Sequence, residues 1–187
     1  HGTTIVLCQI VAEVLEINPG DIRVVESDTD SCLWDLGAFA SRGVYVCGEA
    51  ARLTAEKMRK EILREAGLLL KVNSETLDIK EKWIVKKGKD ERLISYHDLM
   101  TRLLLENNKH LEVNYLYGSV ADRTSYGAHF AEVEVNMETG KIKVVDYAAV
   151  HDVGRVINRL GIEGQLEGGV QMGLGYALSE DMIRDEK

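Results

Sequence analysis

Apolar residues recur at helical spacing from Thr4 to Ile17, where Ile5, Leu7, Cys8, Val11, Ala12, Val14 and Leu15 return every three or four positions. The pattern predicts a helix with Thr3 or Thr4 as N-cap and the Asn18-Pro19-Gly20 run as terminator. IRVVES, residues 22–27, is short and β-branched and predicts a strand. SDTDSCLWDLGAFASRG, residues 27–43, carries turn formers without a period and predicts a long loop of the kind that houses function. Helical spacing returns from Gly43 to Leu70, the longest predicted helix, with Glu56/Lys60 and Glu61/Arg64 marking a solvated side. LDI, KWIVKKG and RLI, between residues 77 and 94, predict short strands with a GKD turn, and Ser95 is placed to cap a helix over SYHDLMTRLLLEN. Residues 128–151 alternate apolar and polar on both sides of METG, which predicts an antiparallel hairpin.

The last periodic stretch differs from the others. Between Gly161 and Gly175 the chain reads GIEGQLEGGVQMGLG, six glycines in fifteen residues inside a helical pattern. Each glycine weakens a helix interior by roughly 1 kcal/mol relative to alanine, so the run implies a backbone that another group must approach closely. Gln165, Gly168, Gly169 and Met172 share one face at this spacing. That face suits a planar polar ligand or close packing through small residues, and spacing alone leaves both open.

The order of elements predicts an α+β protein, mixed helices and sheet. Three stretches follow from it: helix, strand, loop and helix over residues 1–70, a scaffold insertion over 71–120, and a β-hairpin plus the glycine-rich helix over 121–187. With 187 residues, 45% hydrophobic and 29% charged, the chain can bury a core. A net charge of −8 excludes a nucleic-acid surface, which needs clustered Lys and Arg. No membrane span or leader pattern is present, and a cytoplasmic setting is expected. Three cysteines without CxxC spacing predict buried thiols rather than a disulfide framework or a metal cluster. His1 leads straight into an apolar-periodic stretch and the chain stops on the charges of SEDMIRDEK, so it reads as an internal fragment of something longer.

Candidate chemistry lies in HGTT at the start, in the long loop, and in HDVGRVIN running into GIEGQLEGG. In the loop, Ser41 and Arg42 could meet phosphate or pterin oxygens through charge-assisted hydrogen bonds; equally, Asp28, Asp30 and Asp35 could cap neighbouring helices and pair with Arg42. His151 and Asp152 suggest an acid–base pair, but neighbours on a strand point to opposite faces, which favours a structural role. No HExxH or HxH spacing predicts a metal, and GxSxG, GxxxxGK[ST] and GxGxxG are absent.

Taken in order, HGTTIVLCQIVAEVL, DTDSCLWDLGAFASRGVYVCGEA, YGAHFAEVEVNMETGKIKVVDYAAVHDVGRVIN and EGQLEGGVQMGLGYALSE resemble the molybdenum-binding large subunit of the xanthine dehydrogenase and aldehyde oxidase family. The resemblance implies part of the molybdopterin-binding domain of a molybdenum hydroxylase. In bacterial members the cofactor is usually the cytosine dinucleotide form. The family hydroxylates an aldehyde or N-heterocycle with water as oxygen source and passes electrons through iron–sulfur clusters to a flavin or another acceptor. Iron–sulfur and flavin subunits or domains, the remainder of the large subunit and a small-molecule substrate are the implied partners.

By the same resemblance, His1 and Gly2 take the last two positions of a Gly-Gln-Gly motif at the pterin, with His1 where glutamine is usual. Ala40, Ser41 and Arg42 match a segment lying against the cofactor, and Gln165, with Gly168 and Gly169, matches an EGQ-x-x-GG segment. The family's catalytic glutamate would fall beyond Lys187, so no catalytic residue is assigned and the fragment is expected to be inactive alone. Arg159 follows Asn158 where the family usually has proline. The cofactor reading requires segments 1–4, 38–43 and 164–169 to line one cleft. Its rivals are a non-catalytic assembly module packing through the glycine-rich helix and a generic phosphate- or nucleotide-binding enzyme.

Overall fold

A computed structural model describes residues 2–25, 28–30, 32–39, 41–118 and 124–185. Among them the chain divides into two units, Gly2–Val120 and Ala121–Lys187. The α+β class holds: helices and antiparallel sheet occur in both.

The first unit opens with helix α1, Thr3–Leu15, whose N-cap is Gly2 rather than a threonine. Thr3 and Thr4 already lie inside the helix, and a hydroxyl caps only from an extended residue just outside it. Gly2 enters with left-handed backbone, φ 71° and ψ 16°, and no side chain caps the turn. Glu16 ends α1 in left-handed conformation. The Asn18-Pro19-Gly20 run forms a separate 3-10 turn over Pro19–Asp21. Residues 22–25 are not a strand: among the described residues they have no sheet partner, and Val24 and Val25 are exposed. β-Branched residues record fit to a half-buried pleated surface, and no strand edge receives this stretch. Glu26 and Ser27, the end of that expected strand, lie outside the described residues.

The long predicted helix arrives in two parts. A π-helical turn over Gly43–Cys47 widens the chain, and helix α2 then runs over Gly48–Leu70. Along its solvated side Arg64 pairs with Glu61 as expected, whereas Glu56 pairs with Arg52, one turn earlier. Strands β1 (Leu77–Lys80), β2 (Trp83–Lys86) and β3 (Arg92–Ser95) form an antiparallel meander in sequence order. Helix α3, Tyr96–Asn107, follows at once, with the Ser95 hydroxyl accepting from the Asp98 amide at 3.1 Å. Ile62 and Ala66 of α2, Leu77, Ile79, Ile84 and Ile94 of the meander, and Leu99 and Leu103 of α3 make one core.

Polar ties fix α1 to that core. The Arg59 guanidinium donates to the Val14 carbonyl at 2.8 Å and to Asp78 at 2.5 Å. The Tyr96 hydroxyl donates to the Leu15 carbonyl at 2.8 Å. The β1–β2 turn places Glu81 and Lys82 at positive φ, 49° and 68°, which a two-residue hairpin demands and Asn-Gly usually supplies. Lys82 meets Asp21 at 2.6 Å and donates its amide to the Glu16 carbonyl at 3.1 Å, so tertiary contacts hold this turn against its strain. Glu65, only 4% exposed, lies 2.6 Å from Arg64 and 2.8 Å from Lys109, tying α2 to the segment after α3.

The second unit consists of strand β4 (Tyr126–Val135), strand β5 (Ile142–Asp152) and helix α4 (Arg159–Leu178). β4 and β5 pair antiparallel with a bulge at Glu132/Val133: Glu132 faces Asp146 while Val133 faces Val144. α4 starts two residues ahead of Gly161 because Asn158 caps it, its side chain accepting from the Gly161 amide at 3.0 Å. Arg159 takes the first helical position, where proline is otherwise favoured, and pairs with Glu163 at 2.6 Å.

Candidate functional site

In the first unit the expected residues sit at two chain entries into helices. Gly2 opens α1, whose first amides have no intrahelical acceptor. Ser41 stands in left-handed conformation, φ 54°, a costly setting for a residue with a Cβ, next to Arg42, the N-cap of the π-helical turn. Arg42 is half-buried; its guanidinium lies 4.9 Å over the Phe39 ring and 3.4 Å from the Gly37 carbonyl. Among the described residues it pairs with none of Asp28, Asp30 and Asp35. Those carboxylates turn the loop instead: Asp28 accepts from the Asp30 amide at 3.0 Å and Asp35 from the Gly37 amide at 2.5 Å. Asp35 also lies 3.6 Å from the Cys47 sulfur. Burial pushes the Cys47 thiol above its ordinary pKa and Asp35 adds to this, which favours the neutral thiol over the thiolate. The same loop exposes Leu33, Trp34, Leu36 and Phe39. His1 and Ala40 lie outside the described residues.

In the second unit, α4 presents Gln165 exposed to solvent. A Cβ built on Gly164, Gly168, Gly169 or Gly173 would meet nothing within 4 Å. Among the described residues of this unit, these four glycines therefore serve no close packing. Gly175 differs, since a Cβ there would collide with the Glu180 carboxylate, which folds back over the helix end. A groove of about 480 Å³ runs along this end of α4, lined by Gly168, Met172, Gly175 and Leu178 among others.

The sequence singled out His151 but not the cluster it belongs to. His129 Nε2 lies 2.7 Å from His151 Nε2, and His129 Nδ1 lies 2.9 Å from the Tyr147 hydroxyl. Asp152, beside His151, takes no part; it accepts from the Gly154 amide at 2.9 Å and turns the chain. Among the described residues no group of three or more His, Cys, Asp or Glu side chains is arranged to hold a metal ion, and no helix is long and apolar enough to cross a membrane.

Each unit thus carries one feature of its own: a helix whose glycines leave its backbone uncovered beside the exposed Gln165 in one, and a left-handed Ser41 ahead of a π-helical turn in the other. The chain belongs to the molybdopterin cofactor-binding domain family, whose model matches residues 1–187. It is 33% identical over 191 residues to the xanthine dehydrogenase molybdenum-binding subunit of Escherichia coli O157:H7, covering 100% of this chain and 25% of that protein. It is 30% identical over 189 residues to the carbon monoxide dehydrogenase large chain of Hydrogenophaga pseudoflava, covering 99% and 23%. Its fold matches quinoline 2-oxidoreductase from Pseudomonas putida 86 with a TM-score of 0.87 at 26% identity, over 99% of this chain and 24% of that one. The chain thus spans about a quarter of the length of these relatives. The resemblance read from the sequence to molybdenum hydroxylase large subunits is borne out.

Proposed function

We propose that this chain forms part of the molybdopterin-holding wall of a molybdenum hydroxylase large subunit. The observation that carries this is the uncovered backbone of α4 at Gly164, Gly168, Gly169 and Gly173 beside the exposed Gln165. The residues present fit such a group, because a rigid, polar, multi-ring ligand needs close approach and few well-placed polar contacts. Gln165 offers two donors and an acceptor to heterocycle edges. Arg42, steadied by the Phe39 ring and the Gly37 carbonyl, offers a charged fork to phosphate oxygens. The opening amides of α1 at Gly2 favour an anion. His1, Ala40 and Ser41 complete the assigned set, and Gly168 and Gly169 admit the ring system.

When bound, molybdenum in this cofactor supplies two-electron redox chemistry that no side chain here offers. The side chains of this chain bind and orient; none is assigned a catalytic role. The reaction assigned to the whole protein is hydroxylation of an aldehyde or N-heterocycle with oxygen from water, with iron–sulfur and flavin partners taking the electrons. The cofactor is assigned the cytosine dinucleotide form and the setting is cytoplasmic. Tyr126, Phe130, Val150, Leu160 and Tyr176 are all exposed, and the remainder of the large subunit is the proposed cover for them.

The test is metal and nucleotide analysis of the purified full-length protein. Molybdenum near one equivalent, with cytidine monophosphate released by acid hydrolysis, is the expected result, and background molybdenum sinks the reading. Gly169→Leu and Arg42→Ala are expected to lower molybdenum content at least fivefold with melting temperature retained. Wild-type loading in both variants would remove these residues from the site.

A further inference from the structure

The register of the hairpin sets Gly127 across from His151, His129 across from Ala149, and Ala131 across from Tyr147. Each of the three rings therefore stands opposite a glycine or an alanine, all on one face. Gly127 is required for this: a Cβ there would come within 2.9 Å of His151 Cε1. The rings meet edge to face, at 73° for His129 with Tyr147 and 87° for His129 with His151. Two imidazole nitrogens 2.7 Å apart cannot both show lone pairs or both carry protons, so either one ring donates its N–H to the other or a cation stands between them. With a proton as the bridge, one arrangement runs from Tyr147 O–H to His129 Nδ1 and from His129 Nε2–H to His151 Nε2.

We propose that His129 and His151 form a cross-strand site for a divalent transition cation of the zinc, copper and nickel class, with Tyr147 orienting His129. Imidazole nitrogens suit these cations and not magnesium or calcium, which take oxygen ligands. The second nitrogen of His129 already has an oxygen partner, the arrangement that fixes the tautomer of a ligating ring. With the cation on Nε2, His129 Nδ1–H donates to the Tyr147 oxygen. Zinc–nitrogen bonds of about 2.0–2.1 Å in tetrahedral geometry set the nitrogens about 3.3 Å apart. Side-chain rotation alone provides that opening, because His129 is exposed and His151 half-exposed. Water fills the remaining positions.

The test is titration of the full-length subunit with zinc against a chromophoric chelator, for wild type, His129→Ala, His151→Ala, Gly127→Ala and Tyr147→Phe. Molybdenum content and melting temperature serve as controls for the fold. Loss of one zinc equivalent, or at least tenfold weaker binding, is expected in both histidine variants. Gly127→Ala is expected to do the same by displacing the His151 ring while both ligands remain, so the proposal stays testable if a histidine variant fails to fold. Tyr147→Phe is expected to weaken binding by a few fold. The proposal is overturned if wild type takes up no zinc, if the histidine and glycine variants titrate like wild type, or if calcium competes.

Discussion

In the unit Gly2–Val120, α2 and α3 close over the three-stranded meander, and Ile84, Leu99 and Ala66 have no exposed surface. In Ala121–Lys187 no residue of β4, β5 or α4 is buried. The core of the first unit is explained by contacts inside that unit: apolar faces meet, Arg59 and Tyr96 satisfy carbonyls at the end of α1, and Glu65 sits between two cations. The second unit leaves apolar side chains such as Phe130 and Tyr176 exposed, and Gly164, Gly168, Gly169 and Gly173 of α4 uncovered. Buried core residues therefore lie in the first unit and are absent from β4, β5 and α4, and substitutions should separate the two units.

The largest separation is expected from truncating leucines. Leu99→Ala, at a fully buried site, should cost about 2–5 kcal/mol, whereas Leu160→Ala, 81% exposed, should cost less than about 0.5 kcal/mol. Urea denaturation of the 187-residue chain measures both, and similar losses would erase the distinction between the units.

Tyr96 offers an intermediate effect with a pH signature. Burial, helped by nearby Glu16 and opposed by Arg59, raises its phenol above the ordinary value. The folded state thus favours the neutral form, so the stability it contributes is fully present below the ordinary tyrosine pKa of 10.0 and is lost as pH rises above it. Tyr96→Phe should cost about 1 kcal/mol at neutral pH through the orphaned Leu15 carbonyl. It should also flatten the alkaline decline relative to wild type; parallel declines would contradict the assignment.

The smallest effect is the most discriminating. Gly168→Ala and Gly169→Ala place a methyl where nothing lies within 4 Å, so each should leave the isolated chain unchanged or stabilise it by up to about 1 kcal/mol. In the full-length subunit the same changes should lower molybdenum content. Destabilisation of the isolated chain would mean that these glycines serve internal packing after all.

The elements legible in the sequence were those with many repeats of one period or a complete local motif. α2 and the hairpin repeat their pattern over ten or more residues, and Ser95 is a cap with its own acceptor geometry. IRVVES failed because strand formation needs a partner edge, which propensity does not contain. The α1 cap failed because Gly2 reaches the helix through a left-handed backbone that does not need a hydroxyl. Of the assigned site, Gln165 and its glycines stood out through their density, and HGTT and Ala40-Ser41-Arg42 through family resemblance. The histidine pair was invisible for a stated reason. Counting outward from Val135 opposite Ile142, a regular ladder would set His129 opposite Ala148 and turn His151 to the other face; the bulge moves His129 opposite Ala149.

That bulge also says which insertions and deletions the hairpin tolerates. Val145 is the residue left over between the pairs Glu132–Asp146 and Val133–Val144, so a relative lacking one residue there keeps His151 across from Gly127 and Tyr147 across from Ala131. Loss of a residue between 147 and 150 instead turns His151 away from His129 while the strand still pairs. Alignment gaps at 145 are therefore silent for the imidazole pair, and gaps only a few positions later are not.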